Sequence, residues 1–143
     1  MGYGCREGKA MKYLVDTNVC IFLMKNTYPA MTRRFLSMDP SDFFISSVTL
    51  YELQYGAEKS KWGERNRNNL MLFLSPFSII PFDSNDAYYA GKIRNYLEEK
   101  GTLIGPYDIQ IAAQGLARNL VVLTHNTDEF NRVPDLMTED WVA

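Results

Sequence analysis

The sequence predicts an α/β protein, a three-layer α/β/α sandwich around a mainly parallel central sheet. Two observations predict this fold class. Segments with strand composition alternate along the chain with segments of helical periodicity. The most β-rich segment, LVVLT at 120–124, is apolar without polar alternation, which is typical of strands covered on both faces. We therefore expect helices on both sides of the sheet.

The first half of the chain contains two strand signals, each followed by two helical segments. Short runs rich in β-branched and aromatic residues indicate the strands, and apolar residues at helical spacing indicate the helices. The predicted strands are KYLVD (12–16) and DFFISS (42–47). The predicted helices are NVCIFLMKN (18–26), PAMTRRFLSM (29–38), about 48–61, and ERNRNNLMLFLS (64–75).

The second half continues the alternation. SIIPF (78–82) predicts a third strand, after which Asp83 or Ser84 caps a helix that ends at Gly101. The segment GPYDIQIAAQGLARN (105–119) predicts a helix that leads into LVVLT. MTEDWV (137–142) predicts a last short strand.

Length and composition indicate one domain. The chain has 143 residues, 46% of them hydrophobic, which suits a single core. We assign residues 11–143 to this domain and expect the Gly-rich residues 1–10 to be a disordered N-terminal extension. No apolar run approaches the roughly 18 residues of a membrane helix, and the start lacks an apolar signal region. We therefore expect a cytoplasmic protein without membrane contact.

The charged and metal-binding residue types exclude some functions. Two cysteines without a CxxC pair and a single histidine argue against a disulfide framework and a zinc site. The net charge of −2 counts mildly against a nucleic-acid-binding module. Basic residues cluster in EKSKWGERNR (58–67), for which a solvated helical face is favoured over a phosphate track.

Acidic and hydroxyl side chains occur where predicted strands end. In an open α/β sheet, ligands bind outside the carboxyl ends of the strands. Asp16, Ser46 and Thr124 lie at three such ends. Glu52 lies in the helix after the second strand, and Asp108 lies at the head of the helix before the fourth. Three acids could therefore converge at one edge of the sheet.

Each acid also has a structural explanation when it is considered alone. Asp16 could cap the helix that follows it. Thr49 and Glu52 fit a capping box. Asp108 follows Pro106 at a helix start, where a carboxylate complements the helix dipole.

Side-chain direction favours a shared site. Asp108 lies away from three polar residues spaced i, i+4 and i+8, which predict the solvent-facing stripe of its helix: Gln110, Gln114 and Arg118. The helical neighbours of Glu52 are uncharged: Val48, Tyr55 and Gly56. Both acids are thus expected to face inward, and burying a lone carboxylate costs several kcal/mol. A divalent cation is the simplest partner, and oxygen ligands without His or Cys suit Mg²⁺ or Mn²⁺.

A cation at this edge would explain how an acidic site handles nucleic acid. Divalent ions polarise phosphodiesters and activate water, so no protein general base is required. The ion also reverses the local charge, which removes the conflict between the net charge of −2 and a phosphate-containing substrate.

The ordered motifs resemble the PIN-domain ribonucleases, and more closely the VapC toxins of type II toxin–antitoxin systems. The resemblance runs from about Met11 to Trp141. It rests on LVDTNVCIFLMKN, ISSVTLYELQYGAEKS, RNRNNL, KGTLIGPYDIQIAAQ, LVVLTHNTDEFNRVPDL and EDW. DTN alone is a weak motif. The separations of 36 residues from Asp16 to Glu52 and 56 from Glu52 to Asp108 make the set specific.

The resemblance implies a PIN-like fold and a set of site residues. Asp16 and Asp108 would bind Mg²⁺ or Mn²⁺ directly, and Glu52 directly or through a water. Many members have a fourth acid two residues after the threonine that ends the fourth strand, where this chain has Asn126. Asn126 could ligate through its carbonyl or a water, and Asp128 could reach the site. The family also implies supporting roles for small polar residues: Thr17, Asn18, Ser46 and Thr124.

The resemblance further implies partners and a substrate. VapC toxins dimerise, and a VapB antitoxin blocks them by placing its C-terminal segment in the toxin groove. Homodimers and toxin–antitoxin hetero-oligomers are therefore expected. The implied substrate is RNA, and more narrowly the anticodon stem-loop of initiator tRNA, whose cleavage inhibits translation.

Two other functions stay open at the level of sequence. Asp16 could be the nucleophile of an aspartyl-phosphate phosphotransferase or phosphatase, although such an enzyme would want a second acid where this chain has Asn18. Alternatively, the protein could be a catalytically silent PIN-like domain that binds an antitoxin-type partner. In that case the acids would only cap helices.

Overall fold

The structure is a computed structural model and describes residues 11–142. The disordered extension predicted for residues 1–10 lies outside the described residues. Within residues 11–142, none of the helices is both long and apolar enough to span a bilayer.

The central sheet has five short parallel strands in the order β3-β2-β1-β4-β5. The strands are β1 (Tyr13–Val15), β2 (Phe43–Ser46), β3 (Ser78–Ile80), β4 (Val121–Leu123) and β5 (Thr138–Glu139). All five lie within the segments predicted from the sequence. The chain runs outward from β1 to β3 and then crosses to the other side of β1 to form β4. The switch point of the topology, where ligand sites form in such sheets, therefore lies between β1 and β4.

Seven helices surround this sheet in the described part of the chain. They are α1 (Thr17–Lys25), α2 (Pro29–Leu36), α3 (Ser47–Lys59), α4 (Gly63–Leu74), α5 (Ser84–Lys100), α6 (Pro106–Arg118) and α7 (Thr127–Phe130). The first six were predicted, whereas the four-residue α7 was not. Asp83 caps α5 in a capping box with Asp86, and Gly101 ends the helix at a φ of 70°, a conformation that glycine adopts without strain.

Helices cover both faces of the sheet, which confirms the three-layer prediction. Side chains alternate along β1, so that Tyr13 and Val15 pack on one face and Leu14 on the other. The first face is covered mainly by α1, α2 and α4, and the second by α5, α6 and α7. The helix α3 contributes buried side chains to both cores.

The helix α6 lies unusually close to the sheet at Gly115. A Cβ atom at this position would lie 2.9 Å from Val122 Cγ2, which is closer than real Cβ contacts, and 3.0 Å from Leu136 Cδ1, which is closer than most of them. The missing side chain therefore sets the distance between α6 and β4.

The predicted solvent-facing stripe of α6 is wrong at its centre. Gln114 is completely buried, and its Nε2 donates to the Pro81 carbonyl (3.2 Å) and to Asp86 Oδ2 (3.3 Å). Arg118 Nη2 donates to the same Asp86 oxygen at 2.8 Å. Gln114 and Arg118 therefore bind the start of α5, which packs against α6.

Candidate metal centre

Asp16 is fixed at the switch point by three neighbours. Its backbone N–H donates to the Leu123 carbonyl (2.9 Å), which joins the end of β1 to β4. Its Oδ1 accepts from the Thr17 N–H (2.8 Å), and its Oδ2 accepts from the Thr124 hydroxyl (2.9 Å). Asp16 is therefore both the N-cap of α1 and a buried carboxylate in a single orientation.

The loop after β4 orients the Thr124 hydroxyl. The Asn126 N–H donates to Thr124 Oγ1 at 2.9 Å, so the hydroxyl proton is left to point at Asp16. The Asn126 side chain is half-buried at the start of α7 and forms no capping hydrogen bond there. Its side-chain amide forms no hydrogen bond with a described residue.

A hydrogen bond joins Glu52, on α3, to Thr17, the first residue of the helix that Asp16 caps. Thr17 Oγ1 donates to Glu52 Oε1 at 2.7 Å and lies 3.0 Å from the Thr49 hydroxyl. The capping box proposed for Thr49 and Glu52 is wrong, because α3 begins one turn earlier. Ser46 is its N-cap and accepts from the Val48 N–H at 3.0 Å. Glu52 is thus half-buried and free of any capping role.

Asp108 lies in the first turn of α6, where Pro106 and the N-cap Gly105 begin the helix. The carboxylate is half-buried and receives no hydrogen bond from the described residues. The inward direction predicted for Asp108 is therefore partly confirmed: the side chain faces the acid cluster at the end of the sheet and not the core.

Burial and mutual repulsion act on both aspartates. Desolvation raises the pKa of Asp16 to about 6, and the negative charges of Glu52 and Glu129 add to the shift. Desolvation also raises the pKa of Asp108 to about 6, followed by the charges of Asp16, Glu129 and Glu52. The charges of Glu52 and Glu129 therefore act on both aspartates at the switch point, and the charge of Asp16 acts on Asp108.

Glu129 is the acid that sequence reasoning missed. It is half-buried in α7, whereas the predicted Asp128 is exposed on the outer side of the same helix. Glu129 lies three residues after Asn126, the spacing that places two side chains on one helix face. Recognition of α7 as a helix would have pointed to it.

The other predicted supporting residues divide into two groups. Ser46 and Thr124 are buried at strand ends, and Thr17 bridges Asp16 and Glu52. Asn18, by contrast, is exposed and forms no side-chain hydrogen bond with a described residue.

The donor chemistry of the cluster fits a hard divalent cation. All its candidate ligands are carboxylate or amide oxygens, and Asp108 has a carboxylate without a hydrogen-bond donor. Within residues 11–142, no three His, Cys, Asp or Glu side chains already converge closely enough to hold an ion.

A groove of about 700 Å³ begins beside this cluster. It lies between α1, α3 and α4, and its lining is mostly apolar. Glu52 lines it together with residues that include Ile21, Leu53, Leu70, Leu72 and Phe73.

Comparisons with known proteins place the chain in a family. A model of the PIN domain matches residues 13–136. The tRNA(fMet)-specific endonuclease VapC of Shigella flexneri is 44% identical over 131 residues, which cover 92% of this chain and 98% of that relative. This chain belongs to the VapC family of PIN-domain ribonucleases. Ribonuclease VapC2 of Rickettsia felis is 40% identical over 133 residues, which cover 92% of this chain and 98% of that relative.

Solved VapBC structures have the same fold as this PIN domain. A chain of the DNA-bound VapBC from Salmonella typhimurium superposes with a TM-score of 0.86 at 44% identity, covering 92% of this chain and 99% of that one. A chain of VapBC2 from Rickettsia felis, bound to a promoter DNA fragment, gives 0.85 at 37% identity with coverages of 92% and 99%. The predicted fold and family are therefore confirmed, while the roles of individual site residues stay predictions.

Proposed function

We propose that this chain is the toxin of a type II toxin–antitoxin system and inhibits translation as a divalent-metal-dependent endoribonuclease. The observation that carries the proposal is the cluster at the switch point, where burial and nearby acids raise the pKa of Asp16 and Asp108 together. Such a cluster is unfavourable unless a cation neutralises it. Membership of the VapC family supports the same reaction.

Asp16 and Asp108 would hold Mg²⁺ or Mn²⁺ directly, and Glu52 would do so directly or through a water. Asn126 and Glu129 would complete the site from α7. When bound, the ion would supply positive charge that polarises a phosphodiester and activates water.

The protein's own hydrogen bonds prepare the site for this role. The Thr124 and Thr17 contacts hold Asp16 in one rotamer, so that it need not reorganise on binding. The Thr17 hydroxyl keeps Glu52 beside Asp16. Asp108 has no such tether, which leaves both of its oxygens available to a ligand.

We further propose tRNA as the substrate, and more narrowly the anticodon stem-loop of initiator tRNA. The support is the relative from Shigella flexneri, whose name gives tRNA(fMet) as its target. A protein that acts on tRNA works in the cytoplasm, and we assign this chain to that compartment.

The groove between α1, α3 and α4 is our proposed site for a VapB-type antitoxin. Its apolar lining suits the apolar face of an amphipathic helix, and Glu52 at its margin connects it to the acids. The similar solved chains come from VapBC complexes, which supports this partner. Homodimerisation, carried over from the family resemblance, completes the proposed assembly.

The two rival functions receive less support. An aspartyl-phosphate mechanism would want a second acid two residues after Asp16, where this chain has Asn18, which is exposed and forms no side-chain hydrogen bond with a described residue. A silent interaction domain would gain nothing from acids that repel one another, since Asp108 caps no backbone group in the described structure.

The direct test is cleavage by the purified full chain, freed from its antitoxin, with Mg²⁺, Mn²⁺ or EDTA. We expect initiator tRNA to be cut with either metal and to stay intact in EDTA. Asp16→Ala and Asp108→Ala should abolish cleavage while leaving the fold intact by circular dichroism, and Asp128→Asn serves as the control. Full activity in either alanine variant, or in EDTA, would refute the assignment.

Mapping of RNA ends after brief expression in cells identifies the substrate independently. We expect new 5′ ends within the anticodon loop of initiator tRNA. If the new ends were confined to other RNAs, the proposed ribonuclease activity would be supported and initiator tRNA would be excluded as the substrate.

A further inference from the structure

Two of the acidic residues are each preceded by an exposed tyrosine, and the two tyrosines touch. Tyr51 precedes Glu52 and is 56% exposed, while Tyr107 precedes Asp108 and is 38% exposed. Their ring centroids lie 5.7 Å apart with the planes inclined at 70°, and the Tyr107 hydroxyl donates to that of Tyr51 at 3.4 Å. The pair thus joins α3 to α6 at the rim of the acid cluster.

A third tyrosine continues this surface along α3. Tyr55 lies one turn beyond Tyr51, a rise of about 6 Å along the helix, and is 59% exposed. The Lys59 Nζ, a further turn along, lies 5.3 Å from the centroid of the Tyr55 ring. We call Tyr107, Tyr51 and Tyr55 the tyrosine strip; it starts at the acids and ends beside a cation.

The strip is not required by the core or by the groove. The buried positions of α3 are held by other residues, which include Leu53 and Ala57. The groove is lined from α1, α3 and α4 on the side of Glu52, Leu53 and Gly56, and not by the tyrosines. Large aromatic side chains exposed next to a reactive site are therefore available to the substrate.

We propose that the tyrosine strip stacks unpaired bases of the RNA substrate next to the phosphodiester that is cut, and that Lys59 binds the adjoining phosphate. This inference rests on the proposed ribonuclease function. Proteins recognise single-stranded RNA chiefly by stacking its bases on aromatic side chains. A base that stacks on Tyr55 displaces the Lys59 ammonium from the ring and leaves it beside the backbone.

The charge of the protein supports stacking as the source of affinity. With a net charge of −2, the chain lacks the general positive field that holds nucleic acids through their phosphates. Stacking does not depend on such a field, since every base has a π-face. The strip also selects loops over duplexes, because paired bases do not expose their faces.

The test measures RNA binding by the full chain carrying Asp16→Asn, which prevents cleavage during the measurement. The probe is a fluorescein-labelled RNA stem-loop with an unpaired loop, and a second version carries 2-aminopurine at each loop position in turn. Tyr51→Ala and Tyr107→Ala should each weaken binding about tenfold, and Tyr51→Phe should restore it. Quenching of one 2-aminopurine by the protein should disappear in the alanine variants.

Tyr88→Ala is the matched control. Tyr88 is an equally exposed tyrosine on α5, with Lys92 Nζ 5.1 Å from its ring centroid, and it lies outside the strip. This variant should bind the probe like the parent protein.

Three outcomes overturn the inference, and they differ from a failure of the proposed function. Unchanged binding in both Tyr51→Ala and Tyr107→Ala excludes the strip as an RNA surface. A change of mass in light scattering caused by these substitutions assigns the strip to contacts between copies of the chain. Equal losses in Tyr88→Ala indicate a nonspecific effect. If the unsubstituted protein cleaves no RNA with either metal, the ribonuclease function itself fails.

Discussion

At the scale of single residues, Asp16 shows how burial can outweigh hydrogen bonding. Two donors stabilise its charged form, yet desolvation raises its pKa to about 6. The folded protein therefore binds a proton at Asp16 more tightly than the unfolded chain does. A group of this kind lowers stability at neutral pH, because its charge must be kept where water does not reach.

The first prediction concerns this pH dependence. In EDTA, the free energy of unfolding should fall as the pH rises from about 4 to about 6, since the aspartates lose protons that the folded state favours. Asp16→Asn removes its part of this cost and should stabilise the metal-free protein at pH 7 by up to about 3 kcal/mol. Urea unfolding of the parent protein and of Asp16→Asn at pH 4 and pH 7 measures the pH dependence and the stabilisation. An equal effect of the substitution on the free energy of unfolding at the two pH values would contradict the prediction.

The second prediction concerns Glu129, whose charge contributes to the raised pKa of both aspartates. Glu129→Gln should lower the pKa of Asp16 and Asp108 and weaken Mn²⁺ binding about tenfold. Calorimetry measures the affinity, and carboxyl NMR titration measures the pKa values. The exposed neighbour provides the control, so Asp128→Asn should change neither quantity. Equal effects of the two substitutions would remove Glu129 from the site.

Sequence patterns predict some of these residues better than others. Asp16 and Thr124 are predictable because parallel strands end at the same edge of a sheet, whatever packs around them. The Gln114 prediction fails because helical spacing identifies a polar face without showing that α5 covers it. Glu129 is missed because α7 has only four residues, too few for periodicity to reveal.

At the scale of elements, α6 connects the packing of the sheet to the site. Its C-terminal half approaches β4 at Gly115, and its first turn carries Asp108. A helix moves as a rigid unit, so a displacement at one end is transmitted to the other. The position of Asp108 therefore depends on a residue two turns away from it.

The third prediction tests this connection. Gly115→Ala places a methyl group within 2.9 Å of Val122 and should destabilise the protein by about 1–3 kcal/mol. Cleavage should also slow, because α6 shifts with Asp108. Gly91→Ala is the control: a Cβ there meets nothing within 4 Å, and alanine should stabilise α5 by about 0.5–1 kcal/mol. Denaturant unfolding measures the stability of each variant. If Gly115→Ala were as stable as the parent protein, the close approach of α6 to β4 at this position would be contradicted.

The sequence predicts the helices and strands well, but it does not predict the surfaces that they form together. Strand composition and helix caps are local properties, so Asp83 and Gly101 could be placed before the structure was known. The groove and the tyrosine strip depend on how α1, α3, α4 and α6 pack together. No local pattern contains that information, because Tyr51 and Tyr55 have the spacing of a buried helix face as well as that of an exposed one.

At the scale of the whole molecule, the acid cluster lies between two surfaces of different character, the groove proposed for the antitoxin and the tyrosine strip proposed for RNA. The groove on one side of Glu52 is apolar, whereas the tyrosine strip on the other side is aromatic and ends at Lys59. Substitutions in one surface can therefore test its proposed partner without changing the other surface.

The fourth prediction uses this separation. Leu72 is an exposed residue of the groove, and Leu72→Glu should weaken the complex with the antitoxin at least about tenfold by burying a charge in an apolar contact. Cleavage of RNA should be unchanged. Leu36→Glu, on α2 and equally exposed, is the control and should leave the complex intact. Surface plasmon resonance measures the affinity; a Leu72→Glu complex as tight as the parent would exclude the groove.

The strand order also has a consequence in time. Two of the three hydrogen bonds that fix Asp16 involve Leu123 and Thr124, which are synthesised more than a hundred residues later. A chain that has not yet reached β4 has the first acid with Thr17 as its only partner among these three. The pairing of β4 with β1 therefore completes the surroundings of Asp16 late in synthesis, after most of the domain has been made.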